Sequence, residues 1–228
     1  MNEEARLIRW GGWAAIAAVA AMIGSMIAFN VATIGGGVLE TKRDAVALVW
    51  IAEHSVPVLA FNWMFTVFCV LSIAAFLGFQ AALRETRLPL SIGTALVITG
   101  LVSWIVYKVL YSGVALVLAP EFAVAAPAIQ PAIGAAAIGL LTSAFAFDSL
   151  AFVVFALGVL LYSVAILETR AVPRWLGWFG LAVTVVAVLA GPLLWWEHLG
   201  GYAIVGLSLI LIYVWYLGMG ISILRARV

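Results

Sequence analysis

The stretch at residues 92–118, IGTALVITGLVSWIVYKVLYSGVALVL, decides the fold class of this chain. Lys108 is the one charged residue in it, and Pro120 follows shortly after it. A helix of about 20 apolar residues is long enough to cross the hydrocarbon core of a bilayer. The stretch therefore predicts a membrane-spanning helix that Pro120 ends.

The composition of the whole chain points the same way. Of its 228 residues, 67% are hydrophobic and 9% are charged, and the mean hydropathy is +1.24. A soluble domain is about 45–50% apolar and about 25% charged. We therefore expect an all-α, polytopic membrane protein whose partner is the lipid bilayer. A net charge of +1 argues against a nucleic-acid partner, because the chain has no basic surface to neutralise phosphates.

Further apolar stretches predict a bundle of six transmembrane helices in a single domain that covers residues 1–228. The other five spans lie at about residues 10–33, 56–83, 141–167, 175–196 and 202–224. The apolar run that contains the fourth span, 133–167, is too long for one upright crossing. Either a tilted span or a short interfacial helix followed by a span from about Leu141 fits it. The first span is too long for a signal peptide, so we expect it to be retained.

Between the first two spans, residues 43–54 have charged ends and an apolar middle. This segment is too short to cross a bilayer, and its pattern is typical of a helix that lies in the membrane interface. The sequence therefore predicts a short interfacial helix on the outer face of the membrane.

Basic residues predict the orientation of the spans, because Lys and Arg are concentrated in cytoplasmic loops. Lys42 and Arg43 fall on one side of the predicted topology. A larger set falls on the other side: Arg6, Arg9, Arg84, Arg87, Arg170, Arg174, Arg225 and Arg227. We therefore expect a multi-pass protein of the cell inner (cytoplasmic) membrane with both termini in the cytoplasm.

Lys108 is the most unusual residue of the predicted bundle. At 1.5 Å per residue it lies about 4–5 Å from the centre of its span, where a lipid-exposed Lys costs about 2.5–3.5 kcal/mol. We expect it to face the bundle interior and to have a partner there. Three readings stay open: a buried ion pair that fixes packing, a site that handles a ligand, ion or proton, and a Lys exposed to an outer water-filled vestibule.

Asp148 is the leading candidate for the partner of Lys108, since it enters from the outer side in the fourth span. Asn62 lies at a similar depth in the second span and matches Asp148 in a weak internal repeat, Ala-Phe-Asn against Ala-Phe-Asp. Tyr111 shares the helical face of Lys108 at i+3, whereas Tyr107 does not. The predicted ligand-binding residues are therefore Lys108, Asp148, Asn62 and Tyr111.

Two Glu-His pairs supply a candidate metal site. Glu53-His54 precedes the second span and Glu197-His198 follows the fifth, both on the predicted outer side. Imidazoles and carboxylates bind Zn or Cu when they converge. The alternative is that both pairs mark wet, interfacial helix ends.

Motifs of soluble enzymes are missing from the sequence. It contains no phosphate loop, nucleophile elbow or dinucleotide fingerprint. No catalytic residue and no particular cofactor is predicted, and an enzyme is the less favoured class.

The stretch at residues 162–181, YSVAILETRAVPRWLGWFGL, resembles an uncharacterised bacterial family, domain of unknown function 4386. The most specific part is VPRWLG at residues 172–177, before the fifth span. The resemblance implies a six-span fold and a membrane location. It implies no functional residue.

The polar residues inside the predicted spans map mainly to the outer half of the membrane. The leading hypothesis is therefore a protein that binds or transports a small molecule, lipid or ion through an outward-facing polar cavity. One alternative is a non-catalytic accessory subunit of a larger membrane complex, whose partners are other membrane subunits. A membrane metalloenzyme that uses the outer Glu/His pairs is the other.

Overall fold

The apolar stretches form long helices in the computed structural model, which describes residues 3–33, 45–83, 87–169, 171–190 and 199–225. The helices are α1 Glu3–Thr33, α2 Ala45–Glu53, α3 Ser55–Ala82, α4 Arg87–Gly113, α5 Ala119–Val124, α6 Gln130–Glu168, α7 Arg174–Ala190 and α8 Leu199–Arg225. No strand occurs among these residues. The all-α class is therefore confirmed for the described part of the chain.

Four helical segments among the described residues are long and apolar enough to cross a membrane. They are Glu3–Asn30, Ser55–Ala82, Leu88–Val124 and Gln130–Glu168. Two shorter apolar segments, Arg174–Val188 and Leu209–Arg225, follow them. These helices support a helical membrane protein, while the count of six crossings stays a prediction. The end of the predicted fifth span lies outside the described residues.

Large apolar side chains are exposed on these helices. Trp10 and Trp13 in α1 are 70% and 56% exposed, and Trp63 in α3 is 65% exposed. An apolar surface of this kind is suited to lipid and not to water. Contact with a lipid bilayer follows from it.

The prediction that the third helix ends at Pro120 is wrong. The helix instead passes from α4 into a π-helical turn, Val114–Leu118, and continues as α5 to Val124. Pro120 has no amide N–H to donate to the carbonyl of Leu116, four residues earlier. In the π-helical turn, each backbone hydrogen bond joins an amide to the carbonyl five residues earlier. The Ala119 amide, for example, donates to the Val114 carbonyl. The longer spacing lets the helix continue past the proline.

The helix that contains the fourth predicted span begins before Leu141. Helix α6 runs without interruption over 39 residues from Gln130 to Glu168, so a separate interfacial helix before Leu141 is not found. Pro131 lies in the first turn of α6, where its missing N–H is tolerated. At 1.5 Å per residue the helix is about 58 Å long, which exceeds a hydrocarbon core of about 30 Å.

A short helix occupies the segment for which an interfacial helix is predicted. Helix α2 ends at Glu53, His54 forms a turn, and α3 begins at Ser55. One face of α2 is buried through Ala47, Leu48 and Ile51. This helix packs against α5 and the π-helical turn.

The described residues pack into two compact units. Unit 1 draws on Met1–Ala20, Phe68–Ser103 and Ser149–Val228, and unit 2 draws on Ala21–Val67 and Trp104–Asp148. In unit 1, α7 packs against α8, and the buried Tyr162 hydroxyl donates to the Phe76 carbonyl at 2.9 Å. Lys108, Asp148 and Asn62 lie in unit 2.

Candidate functional site

The side chain of Lys108 is buried in unit 2, with 3% of its surface exposed. Its ammonium Nζ lies over three aromatic rings, at 3.7 Å from the ring centroid of Phe61, 4.3 Å from Tyr107 and 4.7 Å from Phe65. Aromatic ring faces carry negative charge density and attract a cation within about 6 Å. The expected orientation of Lys108 toward the protein interior is therefore confirmed, and the rings form an aromatic cage around the ammonium.

Helical spacing explains how α3 supplies two of the three rings. Phe61 and Phe65 are four residues apart and so lie on one face of the helix. Tyr107 comes from α4 itself, as the residue before Lys108. The aromatic cage, defined as Phe61, Phe65 and Tyr107, thus forms where α3 and α4 meet within unit 2.

Asp148 lies in the same cluster, half-buried near the middle of α6. The indole Nε1 of Trp104 donates a hydrogen bond of 2.8 Å to its Oδ1 atom. Trp104 precedes Lys108 by one helical turn, and its ring packs edge-on against Phe65 with centroids 5.7 Å apart. Through Trp104, the structure links the carboxylate of Asp148 to the cage that holds Lys108.

Asn62 occupies the other side of the cage. Its amide Nδ2 donates to Oγ of Ser112 at 3.2 Å, and Ser112 follows Lys108 by one turn of α4. The Asn62 side chain is 1% exposed, and its Oδ1 atom has no hydrogen-bond partner. Trp104, Lys108 and Ser112 are spaced four residues apart on one helical face, here called the α4 stripe.

Tyr107 contacts Lys108 although helical spacing predicts a different face for it. Tyr107, predicted to point away from Lys108, lies beneath its ammonium. Tyr111, predicted to share the face of Lys108, is buried with its ring edge-on to Tyr107 at 6.1 Å between centroids. The long methylene stem of a lysine lets its charge reach a neighbour that the backbone spacing excludes.

Five side chains of the site are absent from the predicted ligand-binding set: Phe61, Phe65, Trp104, Tyr107 and Ser112. A signal for two of them is present in the sequence, because Trp104 and Ser112 stand four residues before and after Lys108. The two phenylalanines carry no such signal, since any of the twelve in the chain fits an apolar helix equally well.

The predicted metal site is described only in part. His54 Nδ1 lies 3.0 Å from the Trp50 carbonyl, and its ring stacks on Trp50 at 4.3 Å between centroids. Glu53 is exposed, and Glu197 and His198 lie outside the described residues. Within the described ranges, no group of three or more His, Cys, Asp or Glu side chains is placed to hold a metal ion. The metal site stays a prediction.

Comparison of the chain with protein-family models, curated proteins and solved structures finds no match. Functional inference therefore depends on the geometry around Lys108.

Proposed function

We propose that this membrane protein binds a small molecule, a lipid or an ion at the ammonium of Lys108, as a binding protein or a transporter component. The observation that carries the proposal is the burial of Lys108, at 3% exposure, over the rings of Phe61, Phe65 and Tyr107. Charged residues inside transmembrane segments are expensive and commonly mark ligand or ion pathways.

The aromatic cage favours binding over a purely structural role. Cation–π contacts hold the ammonium within the cage, and a positive charge at this position attracts an anionic group. Replacing a whole buried ion pair by well-packed apolar side chains is often neutral or stabilising, so packing alone does not require a charge at this position. Two further polar side chains, Asp148 and Asn62, are held one turn to either side of Lys108 by the α4 stripe. Together they offer a ligand both signs of charge and an amide.

The membrane topology is part of the same proposal. The apolar stretches support six crossings of the cell inner membrane. The distribution of arginines supports a cytoplasmic location for both termini. In that topology Lys108, Asp148 and Asn62 lie in the outer half of the membrane and line an outward-facing polar cavity. Membership of the domain of unknown function 4386 family is proposed on residues 162–181.

The substitutions Lys108→Met and Lys108→Arg test the proposal. Each protein is extracted in mild detergent, its melting temperature Tm is measured, and native mass spectrometry records the molecules that it retains. We expect Lys108→Met to fold and to lose a molecule that the wild-type protein retains. Lys108→Arg keeps the positive charge and retains part of the binding.

Two outcomes contradict the proposal. Retention of the same molecules by the wild type and by Lys108→Met would remove Lys108 from any binding role. Co-purification of a further polypeptide with both, and of no small molecule with either, would favour an accessory subunit of a larger membrane complex.

A further inference from the structure

We infer that Asn62 and Ser112 form a hydroxyl-binding subsite beside Lys108, so that the ligand is an anion that also carries a hydroxyl group. The inference rests on the proposed function, because it takes Lys108 as the group that holds the anion. It adds the second chemical feature by which the site selects its ligand.

The amide of Asn62 supplies the first reason. An Asn side chain offers two N–H donors and one oxygen that accepts hydrogen bonds. Here Nδ2 donates to Oγ of Ser112, while the buried Oδ1 has no partner. Buried polar atoms are nearly always hydrogen-bonded, and an exception calls for an explanation such as a water or ligand. An oxygen acceptor in this position selects a group that donates a hydrogen bond.

The location of Asn62 supplies the second reason. Ser112 lies four residues beyond Lys108, which is about 6 Å along the axis of α4. Asn62 directly follows Phe61, whose ring carries the ammonium at 3.7 Å. The unfilled acceptor and the cation therefore belong to the same contact between α3 and α4 in unit 2. One small molecule of about this length can reach both.

Charge decides between the kinds of donor. A metal cation or an ammonium would also satisfy Oδ1 of Asn62, but neither pairs with Lys108, which the proposed function takes as the group that holds an anion. A neutral hydroxyl can belong to such an anion, and the Ser112 hydroxyl can bind it as donor or acceptor. A ligand with an anionic oxygen near Lys108 and a hydroxyl near Asn62 therefore matches both side chains.

A phosphoglycerol group has this chemistry, with a phosphate anion and hydroxyls a few bonds away. It occurs both as a lipid headgroup and as free glycerol 3-phosphate, and the experiment separates these sources. Two lipids with identical acyl chains, phosphatidylglycerol and phosphatidic acid, differ in the glycerol hydroxyls. Glycerol 3-phosphate and inorganic phosphate form the matching soluble pair.

The experiment measures the dissociation constant Kd of the purified full-length protein for each probe. The wild type is expected to bind the hydroxyl-bearing probe of one pair about tenfold more tightly than its partner, since one added hydrogen bond has about that effect. Asn62→Leu is expected to abolish this preference, because it weakens the binding of the hydroxyl-bearing probe. Asn30→Leu, at an exposed position of α1, is the matched control and keeps the preference.

The outcomes separate the two proposals. A preference that survives in Asn62→Leu, or a loss of affinity for both members of a pair alike, overturns the subsite. If the wild type binds both probes of a pair with equal Kd, a water molecule alone satisfies Oδ1 of Asn62. That result also overturns the subsite. Lys108→Met with unchanged affinity for every probe overturns the proposed function instead. No binding of any probe to the wild type overturns both.

Discussion

Trp104 of α4 donates a 2.8 Å hydrogen bond from its indole Nε1 to Oδ1 of Asp148 in α6. The bond lies one helical turn from Lys108 and ties a half-buried carboxylate to the aromatic cage. A hydrogen bond to a charged acceptor is worth more than one between neutral groups. The Trp104–Asp148 bond is therefore a main polar connection between these two helices in unit 2.

Replacing Trp104 by Phe should destabilise the protein, because Asp148 then loses this donor while the aromatic packing on Phe65 is largely kept. A hydrogen bond to a charged group contributes about 1.5–3 kcal/mol. We expect a loss of that size in the free energy of unfolding, measured in detergent with increasing denaturant. Trp63→Phe is the control, since Trp63 is 65% exposed and should change stability little. Equal effects of the two substitutions would mean that the bond contributes nothing specific.

Replacing Phe61 by Leu should lower the free energy of unfolding, because the Lys108 ammonium loses one of its cation–π contacts. A cation–π contact contributes about 0.5–2 kcal/mol, with the larger values at desolvated sites. The loss of stability caused by Phe61→Leu should be smaller in a protein that already carries Lys108→Met. A double-mutant cycle measures this coupling. Phe147→Leu, at a more exposed ring of α6, should show no coupling to Lys108→Met. Additive effects of Phe61→Leu and Lys108→Met would show that the ammonium gains nothing from the ring.

Asn62→Leu should raise the stability of the ligand-free protein. The substitution removes the hydrogen bond to Ser112, worth about 1 kcal/mol, and also a buried unsatisfied acceptor, which costs about 1–3 kcal/mol. The net expectation is a small gain in the free energy of unfolding, as is common where a binding site trades stability for function. A marked loss of stability would instead identify Asn62 as a structural group.

Gly78→Ala should destabilise unit 1, because α1 and α3 touch through their backbones at this position. A Cβ atom on Gly78 would lie 2.5 Å from Cα of Gly11 and 3.0 Å from the Leu7 carbonyl oxygen. Overpacking of this kind costs about 1–3 kcal/mol. Gly139→Ala in α6 is the matched control, since nothing lies within 4 Å of the added Cβ. The control should be neutral or stabilising, because Ala is the better helix former. A fall in Tm for Gly139→Ala equal to that for Gly78→Ala would contradict the close approach of α1 and α3.

The sequence predicts the parts of this structure that depend on hydropathy and on single residues. Apolar stretches predict the long helices, and the cost of a charge in hydrocarbon predicts that Lys108 faces the interior. Other features depend on how helices are rotated against each other, which local sequence does not encode. The bond from Trp104 to Asp148 is one, and the choice of Phe61 and Phe65 as cage rings is another.

Local geometry limits the remaining predictions. Pro120 is ordinarily a helix terminator, yet the π-helical turn before it absorbs the missing donor and the helix continues. Ideal helical spacing places Tyr107 on a different face from Lys108, but the flexible lysine stem brings the ammonium over its ring. In both cases the deviation is a small local adjustment whose direction is decided by tertiary packing.

The two lysines of the chain, Lys42 and Lys108, allow a direct test of the central claim, that a caged ammonium at Lys108 binds a ligand. Protein labelled with ¹³C at the lysine Cε atoms gives two signals, and Lys108→Arg identifies the one from Lys108. We predict that ring currents shift the Cε proton resonances of Lys108 upfield, and that these resonances move when phosphatidylglycerol or glycerol 3-phosphate is added. A Lys108 signal at the position of a solvent-exposed lysine, unmoved by the lipid and by glycerol 3-phosphate, would contradict the account.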